Sequence, residues 1–122
     1  MNSGNSPRTI LIVDDDLIVR KSLASILEDD GWEVFAAQNG SEGLELLGKH
    51  LPERIIVDLN LPDMQGEEFI IQSYKIHGNG KYLLHTGDPE YTVPENLKDM
   101  GFSQNQVLFK PIIDIQALLE IL

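Results

Sequence analysis

Five short stretches of this chain, TILIVD, WEVFAA, RIIVDL, KYLLHT and QVLF, are rich in apolar residues, and segments of about helix length separate them. The first is the most constraining, because Ile10, Leu11, Ile12 and Val13 are apolar at every consecutive position. A strand with one wet face alternates apolar and polar residues, whereas an unbroken run requires both faces of the sheet to be covered. RIIVDL carries the same signature. A sheet of this kind needs helices above and below it.

The intervening segments supply them. Val19, Leu23, Ile26 and Leu27 recur at helical spacing and Gly31 ends that helix; Leu44, Leu47 and Leu51 mark a second helix that runs out before Pro52. EEFIIQSYKI is helical in period and closes on HGNG. Between Gly87 and Asn105, Pro89 and Pro94 leave room only for a short helix near residues 94–100. Ile112, Ile115, Leu118, Leu119 and Leu122 stripe a last helix. Strands alternating with helices through short connections predict parallel strands joined by right-handed crossovers. The expected fold is α/β: a three-layer, doubly wound, five-stranded parallel sheet.

A length of 122 residues fits one domain, with residues 1–8 read as a loose tail and 9–122 as the domain. There is no cysteine, which excludes disulfides and thiolate metal sites. No apolar stretch approaches the roughly 18 residues of a membrane span, and the polar start MNSGNSPR lacks the apolar core of a signal peptide. A cytoplasmic protein is expected. Nine Lys and Arg against twenty Asp and Glu give a net charge of -11, which argues against direct binding to nucleic acid or to an anionic membrane.

In a doubly wound sheet, ligands bind beyond the carboxyl ends of the strands. Those ends carry Asp14 and Asp15 after the first strand, Asp58 after the third, Thr86 after the fourth and Lys110 after the fifth. Each alone has an ordinary role as a cap, a turn residue or a solvated side chain. Together they converge on one rim. Two carboxylates about 4 Å apart repel by roughly 4 kcal/mol at a protein surface, so the cluster needs a cation. Three carboxylates form a hard oxygen site suited to Mg²⁺. A carboxylate can also attack a phosphoryl group while a metal and a lysine neutralise the equatorial oxygens, which makes Asp58 the candidate nucleophile.

ILIVDDD, IIVDLNLPDMQGEE, LLHTGD and LFKP, in this order and spacing, closely resemble the receiver domain of two-component response regulators, the CheY-like family. The resemblance covers roughly residues 8–122, and its most specific piece is DLNLPDMQG. It implies the strand order 2-1-3-4-5. It further implies that Asp58 accepts a phosphoryl group from the phosphohistidine of a sensor histidine kinase or phosphotransfer protein, and that the chain then switches its contacts with a downstream protein. Asp14, Asp15, the Asp58 carboxylate and the backbone carbonyl of Asn60 would hold Mg²⁺. Thr86 would turn its hydroxyl onto the phosphoryl oxygens and Lys110 would bridge to Asp58. Pro111 implies a cis Lys110–Pro111 bond, and Gly66 is expected to free the loop to turn into the third helix. Asp16 lies one step beyond the usual pair and is expected to cap the first helix. Asn60 and Asp88 fall where the family looks outward over the phosphate.

Two departures bear on the output. The family commonly carries Tyr or Phe three residues before the lysine, where this chain has Val107. The Pro-bearing stretch from Gly87 to Asn105 also departs from an ordinary fourth helix. Three other readings compete. A dehalogenase-type phosphatase would use Asp14 and Asp16, but its lysine should precede a late acidic pair, and GDPEYT places Thr92 at the last position. A flavodoxin-like carrier would want a hydroxyl- and glycine-rich loop after the first strand, where three aspartates would repel the cofactor phosphate. A receiver-shaped interaction module that is never phosphorylated would not need all five rim residues. The chain stops at Leu122, which reads as a stand-alone receiver or a segment of a longer regulator. His50, His77 and His85 have no ligand spacing and are expected to be surface or packing residues, and Trp32 to begin the second strand.

Overall fold

The computed structural model describes residues 8–112 and 114–122, so all but Arg8 of the expected tail lies outside the described residues. In chain order the elements are β1 Arg8–Val13, α1 Leu17–Asp29, β2 Trp32–Ala37, α2 Gly40–His50, β3 Arg54–Asp58, α3 Gly66–Ile76, β4 Lys81–Thr86, α4 Glu95–Asp99, β5 Val107–Phe109 and α5 Ile115–Ile121. The strands pair in parallel in the order β2-β1-β3-β4-β5. This is the expected doubly wound sheet.

Side chains on successive strand residues point to opposite faces, and the unbroken apolar runs therefore feed two cores at once. Leu11 and Val13 of β1, with Ile55 and Val57 of β3, pack beneath Leu47 of α2, Phe69 and Ile70 of α3 and Leu97 of α4. Ile10, Ile12 and Ile56 point the other way, to Leu23 and Leu27 of α1 and Leu118 of α5. Among the described residues no helix is long and apolar enough to cross a membrane.

Local chemistry sets the ends of the helices. Asp16 has extended backbone, and its carboxylate accepts from the N–H groups of Ile18 and Val19, as expected of a capping residue. Gly31 follows α1 with a φ of 92°, a conformation few side chains tolerate. The last helix differs from its apolar stripe. Asp114 caps it by accepting from Ala117 N–H, so Ile112 lies outside the helix although it still packs against the α1–α5 core. The Pro-bearing stretch yields the five-residue α4 and, beyond it, a 3₁₀ turn over Gln104–Gln106 that no periodicity foretold.

Candidate functional site

All five rim residues come together at the carboxyl edge of the sheet. Asp14 and Asp15 follow β1, Asp58 and Thr86 are the last residues of β3 and β4, and Lys110 follows β5. Asp14 and Asp58 are buried, at 2% and 6% exposure, while Asp15 is exposed. One carboxylate oxygen from each of the three lies within 4.8 Å of the others. Lys110 Nζ stands 3.3 Å from Asp58 Oδ1 and 3.5 Å from Asp14 Oδ2. One ammonium thus sits against two of the three clustered carboxylates.

The backbone fixes this arrangement. Asp14 N–H donates to Ala37 O across the sheet, Arg20 Nη1 donates to Asp14 O at 2.7 Å, and Asp16 N–H donates to Asp14 Oδ1 at 2.9 Å. Among the described residues, Asp14 Oδ2 has no hydrogen-bond partner apart from the long ion pair to Lys110. An anionic oxygen buried without a donor is costly. The donor set is all oxygen, and that oxygen is unmet, so the residues fit a hard divalent cation such as Mg²⁺.

Thr86 is buried, and its Oγ1 accepts from Asp88 N–H at 3.0 Å, while its backbone oxygen accepts from Lys110 N–H at 2.7 Å. The Lys110–Pro111 bond is cis. Asn60 and Asp88 are both exposed. Asn60 pairs with Gln65 across the loop, and the Asp88 carboxylate accepts from Glu90 N–H, so that side chain is engaged in its own turn.

Gly66 sits in this loop for a different reason from the one expected. It is the first residue of α3 and is absent from the positions with positive φ, so freedom to turn is not what it contributes. A Cβ there would stand 2.4 Å from the Asp58 carbonyl oxygen and 2.9 Å from Leu59 Cα. Close approach of two backbones is what demands glycine. Sequence reading also passed over Asp63, whose carboxylate accepts from Gly40 and Ser41 N–H and ties the loop after β3 to the start of α2. Those two hydrogen bonds hold the Asp63 carboxyl below the usual range. Arg20, six residues past the aspartate it braces, was missed as well. Nothing local in the sequence marks either contact.

Burial, and after it the Asp14 charge, push Asp58 above the usual carboxyl range, with Lys110 opposing. A carboxyl raised in the folded state adds stability only below its unfolded pKa, and that contribution is lost as pH rises through the folded value. At neutral pH the ionised Asp58 therefore works against folding. Without a divalent cation, Asp58→Asn is expected to be more stable than wild type by on the order of 1 kcal/mol, because a neutral amide avoids the cost of burying a charge and the Asp14 repulsion that Lys110 only partly offsets. Thermal melts in chelator and in added Mg²⁺ check this. The gain should shrink as the cation is supplied, and an earlier melt in chelator would mean that the ionised Asp58 does not oppose folding.

Comparison with known proteins gives a consistent result. Residues 10–122 match the family described as response regulator receiver domain. Sporulation initiation phosphotransferase F of Bacillus subtilis is 29% identical over 92 residues, which cover 75% of this chain and 74% of that protein. Other curated response regulators match over only 27% or 24% of their length, so the chain spans about a quarter of them. Among solved structures, a CheY-like receiver domain protein from Methanospirillum hungatei is 30% identical with a TM-score of 0.79, covering 95% of this chain and 90% of that one. A response regulator from Burkholderia pseudomallei, whose structure holds a phosphorylated aspartic acid, a calcium ion and citrate, is 27% identical with a TM-score of 0.74 over 92% of this chain and 64% of that one.

Proposed function

The chain belongs to the response regulator receiver domain family, and from that membership we propose that it is a phosphoacceptor of two-component signalling with Asp58 as the acceptor. The observation that carries the reading is the Lys110 ammonium held between Asp14 and Asp58 where three carboxylates converge. The phosphorylated aspartic acid and calcium ion in the Burkholderia relative support it.

In this reading the donor is a phosphohistidine on a sensor histidine kinase or phosphotransfer protein. An Asp58 carboxylate oxygen forms the new P–O bond as the P–N bond breaks, and the electron pair stays on the departing imidazole. Asp14, Asp15, Asp58 and the Asn60 carbonyl would hold Mg²⁺, which when bound supplies positive charge to the phosphoryl oxygens. Lys110 moves its interaction from the Asp58 carboxylate to the phosphoryl group. Thr86 turns its hydroxyl from Asp88 N–H to a phosphoryl oxygen, which favours one arrangement of the rim over the other. Water later cleaves the P–O bond and restores the carboxylate. No external substrate is turned over. The output is a changed set of contacts with a downstream protein in the cytoplasm, with no direct role for nucleic acid or membrane, and residues 9–122 form the working unit.

The test is incubation with a small phosphodonor and Mg²⁺, followed by intact mass measurement of wild type and Asp58→Asn. Wild type should gain one phosphoryl group and the variant none. A wild type that gains none, or a variant that gains as much, would place the acceptor elsewhere. Calorimetry should register Mg²⁺ binding at millimolar concentration or below, and Asp14→Asn should weaken it at least tenfold.

A further inference from the structure

The loop between β3 and α3 closes on itself through its backbone. Leu61 N–H donates to Met64 O at 3.2 Å, Gly66 N–H donates to Leu59 O at 2.6 Å, and Asn60 pairs with Gln65 in an antiparallel bridge. Leu61 is buried in the core, whereas Asn60, Pro62, Asp63 and Gln65 are exposed. A turn closed in this way can still swing as a unit. Among the described residues, two hydrogen bonds run from residues 60–64 to a helix or strand other than β3 and α3, and both end on the Asp63 carboxylate. One oxygen accepts from Gly40 N–H at 2.8 Å and the other from Ser41 N–H at 2.9 Å, at the start of α2. Met64 supports the same contact, since a Cβ built on Gly40 would lie 2.6 Å from its Cγ and Sδ. That helix start follows shortly after Ala37, whose carbonyl oxygen accepts from Asp14 N–H. Asp63 therefore links the side of the rim that carries Asp58 and Asn60 to the side that carries Asp14.

We propose that Asp63 is a positioning residue of the cation site: it fastens the loop after β3 to α2 and so sets where the Asn60 carbonyl stands relative to Asp14 and Asp58. The inference rests on the phosphoacceptor reading, in which that carbonyl and those carboxylates hold Mg²⁺. Asp58 ends a strand and is held by the sheet, but Asn60 lies beyond the strand and needs an anchor of its own. Mg²⁺ accepts little departure from octahedral oxygen geometry. A carbonyl on a swinging loop must be ordered each time the cation binds, at a cost in conformational entropy that a loop ordered beforehand avoids. Groups that orient metal ligands without touching the metal typically change its affinity by about 10- to 100-fold when removed. Asp63 reaches its effect through the backbone of its own loop.

The experiment is a calorimetric Mg²⁺ titration of wild type, Asp63→Ala, Asp63→Asn and Asn39→Ala. Asn39 caps the same helix end by accepting from Glu42 N–H, so its removal weakens α2 and leaves the anchor of the loop intact. Asp63→Ala should bind about tenfold more weakly and Asn39→Ala within about twofold of wild type, although both are expected to melt earlier. Asp63→Asn loses the charge but keeps an acceptor, so it should fall between, and it carries the comparison if the alanine variant does not fold. In about 0.5 M KCl, where charges are screened beyond about 4 Å, these gaps should persist. In chelator, amide hydrogen exchange at Leu61 should quicken in both Asp63 variants and not in Asn39→Ala, a readout that needs no cation. Wild-type affinity in Asp63→Ala, an equal loss in Asn39→Ala, a gap that vanishes in salt, or unchanged exchange at Leu61 would each overturn the proposal. A wild type that binds Mg²⁺ and gains a phosphoryl group while Asp63→Ala binds as tightly refutes this inference alone, whereas a wild type that binds no cation refutes it together with the cation site of the phosphoacceptor reading.

Discussion

Replacing Gly66 with alanine is expected to lower the melting temperature by on the order of 10 °C, at about 4 °C for each kcal/mol lost in a domain of this size. The new Cβ would meet the Asp58 carbonyl oxygen at 2.4 Å and Leu59 Cα at 2.9 Å. Both are backbone atoms, and neither moves freely. Leu59 N–H donates to His85 O at 2.9 Å, which continues the β3–β4 pairing, and Gly66 N–H donates back to Leu59 O at 2.6 Å. Relief of the contact means shifting the strand end that carries Asp58, and the cost belongs at the upper end of overpacking, about 3 kcal/mol. Gly87→Ala is the control. A Cβ at Gly87 meets nothing within 4 Å among the described residues, and that variant should stay within about 0.5 kcal/mol of wild type. Melts followed by circular dichroism compare the two. Equal melting temperatures would mean that the loop yields cheaply and that close approach is not why glycine is there. A second readout follows from the position of the clash and the proposed acceptor role of Asp58: phosphoryl uptake should slow in Gly66→Ala and not in Gly87→Ala.

The sheet was legible because its determinants are local. Ile10 to Val13 can be continuous only in a strand covered on both faces, and the structure divides that run between two cores. Helix ends were legible where a single residue sets them, as with Asp16 before α1 and Gly31 after it. The last helix was misjudged at its start because the apolar stripe places Ile112 on the buried face but contains no boundary; the Asp114 carboxylate draws that boundary through Ala117 N–H. The 3₁₀ turn before β5 was invisible for another reason. Its residues are polar, and they are held by amide side chains that reach distant backbone: Gln106 Nε2 donates to Tyr82 O, and Gln104 both donates to Tyr91 O and accepts from Val93 N–H.

At the rim, the same distinction separates what the sequence revealed from what it hid. Strand ends place Asp14, Asp58, Thr86 and Lys110 together through topology alone, and topology follows from periodicity. The bracing contacts do not. Asp63 meets Gly40 across 23 residues of sequence and Arg20 reaches back over the aspartate cluster, and neither leaves a trace in composition or spacing. The histidines diverged similarly. His50 stacks on Phe35 and His77 bonds to Pro52 O, which are packing roles. Of the three, His85 alone is buried with its polar atoms unpaired among the described residues, a state that depends on what the opposite helices do not offer.

That state makes His85 the source of a large expected pH effect. Its pKa falls from the ordinary 6.5 to about 4, first through burial and then through the Lys110 charge. Below pH 6.5 the unfolded chain takes up a proton that the folded chain refuses until about pH 4, so unfolding gains protons and stability declines as pH falls through that window. At 1.36 kcal/mol per unit the loss attributable to this one side chain approaches about 3 kcal/mol. Asp58 acts in the opposite sense, since its raised pKa makes protonation at low pH favour the fold. The comparison of wild type with His85→Leu cancels that contribution and isolates the imidazole. Urea unfolding at a series of pH values from 7 to 4 should find the two nearly equal at pH 7, or the variant ahead by about 1 kcal/mol because an unpaired polar group has gone. The variant's advantage should then widen steadily toward pH 4. Parallel stability curves would mean that the ring titrates normally in the folded chain, and burial would not be what sets its pKa.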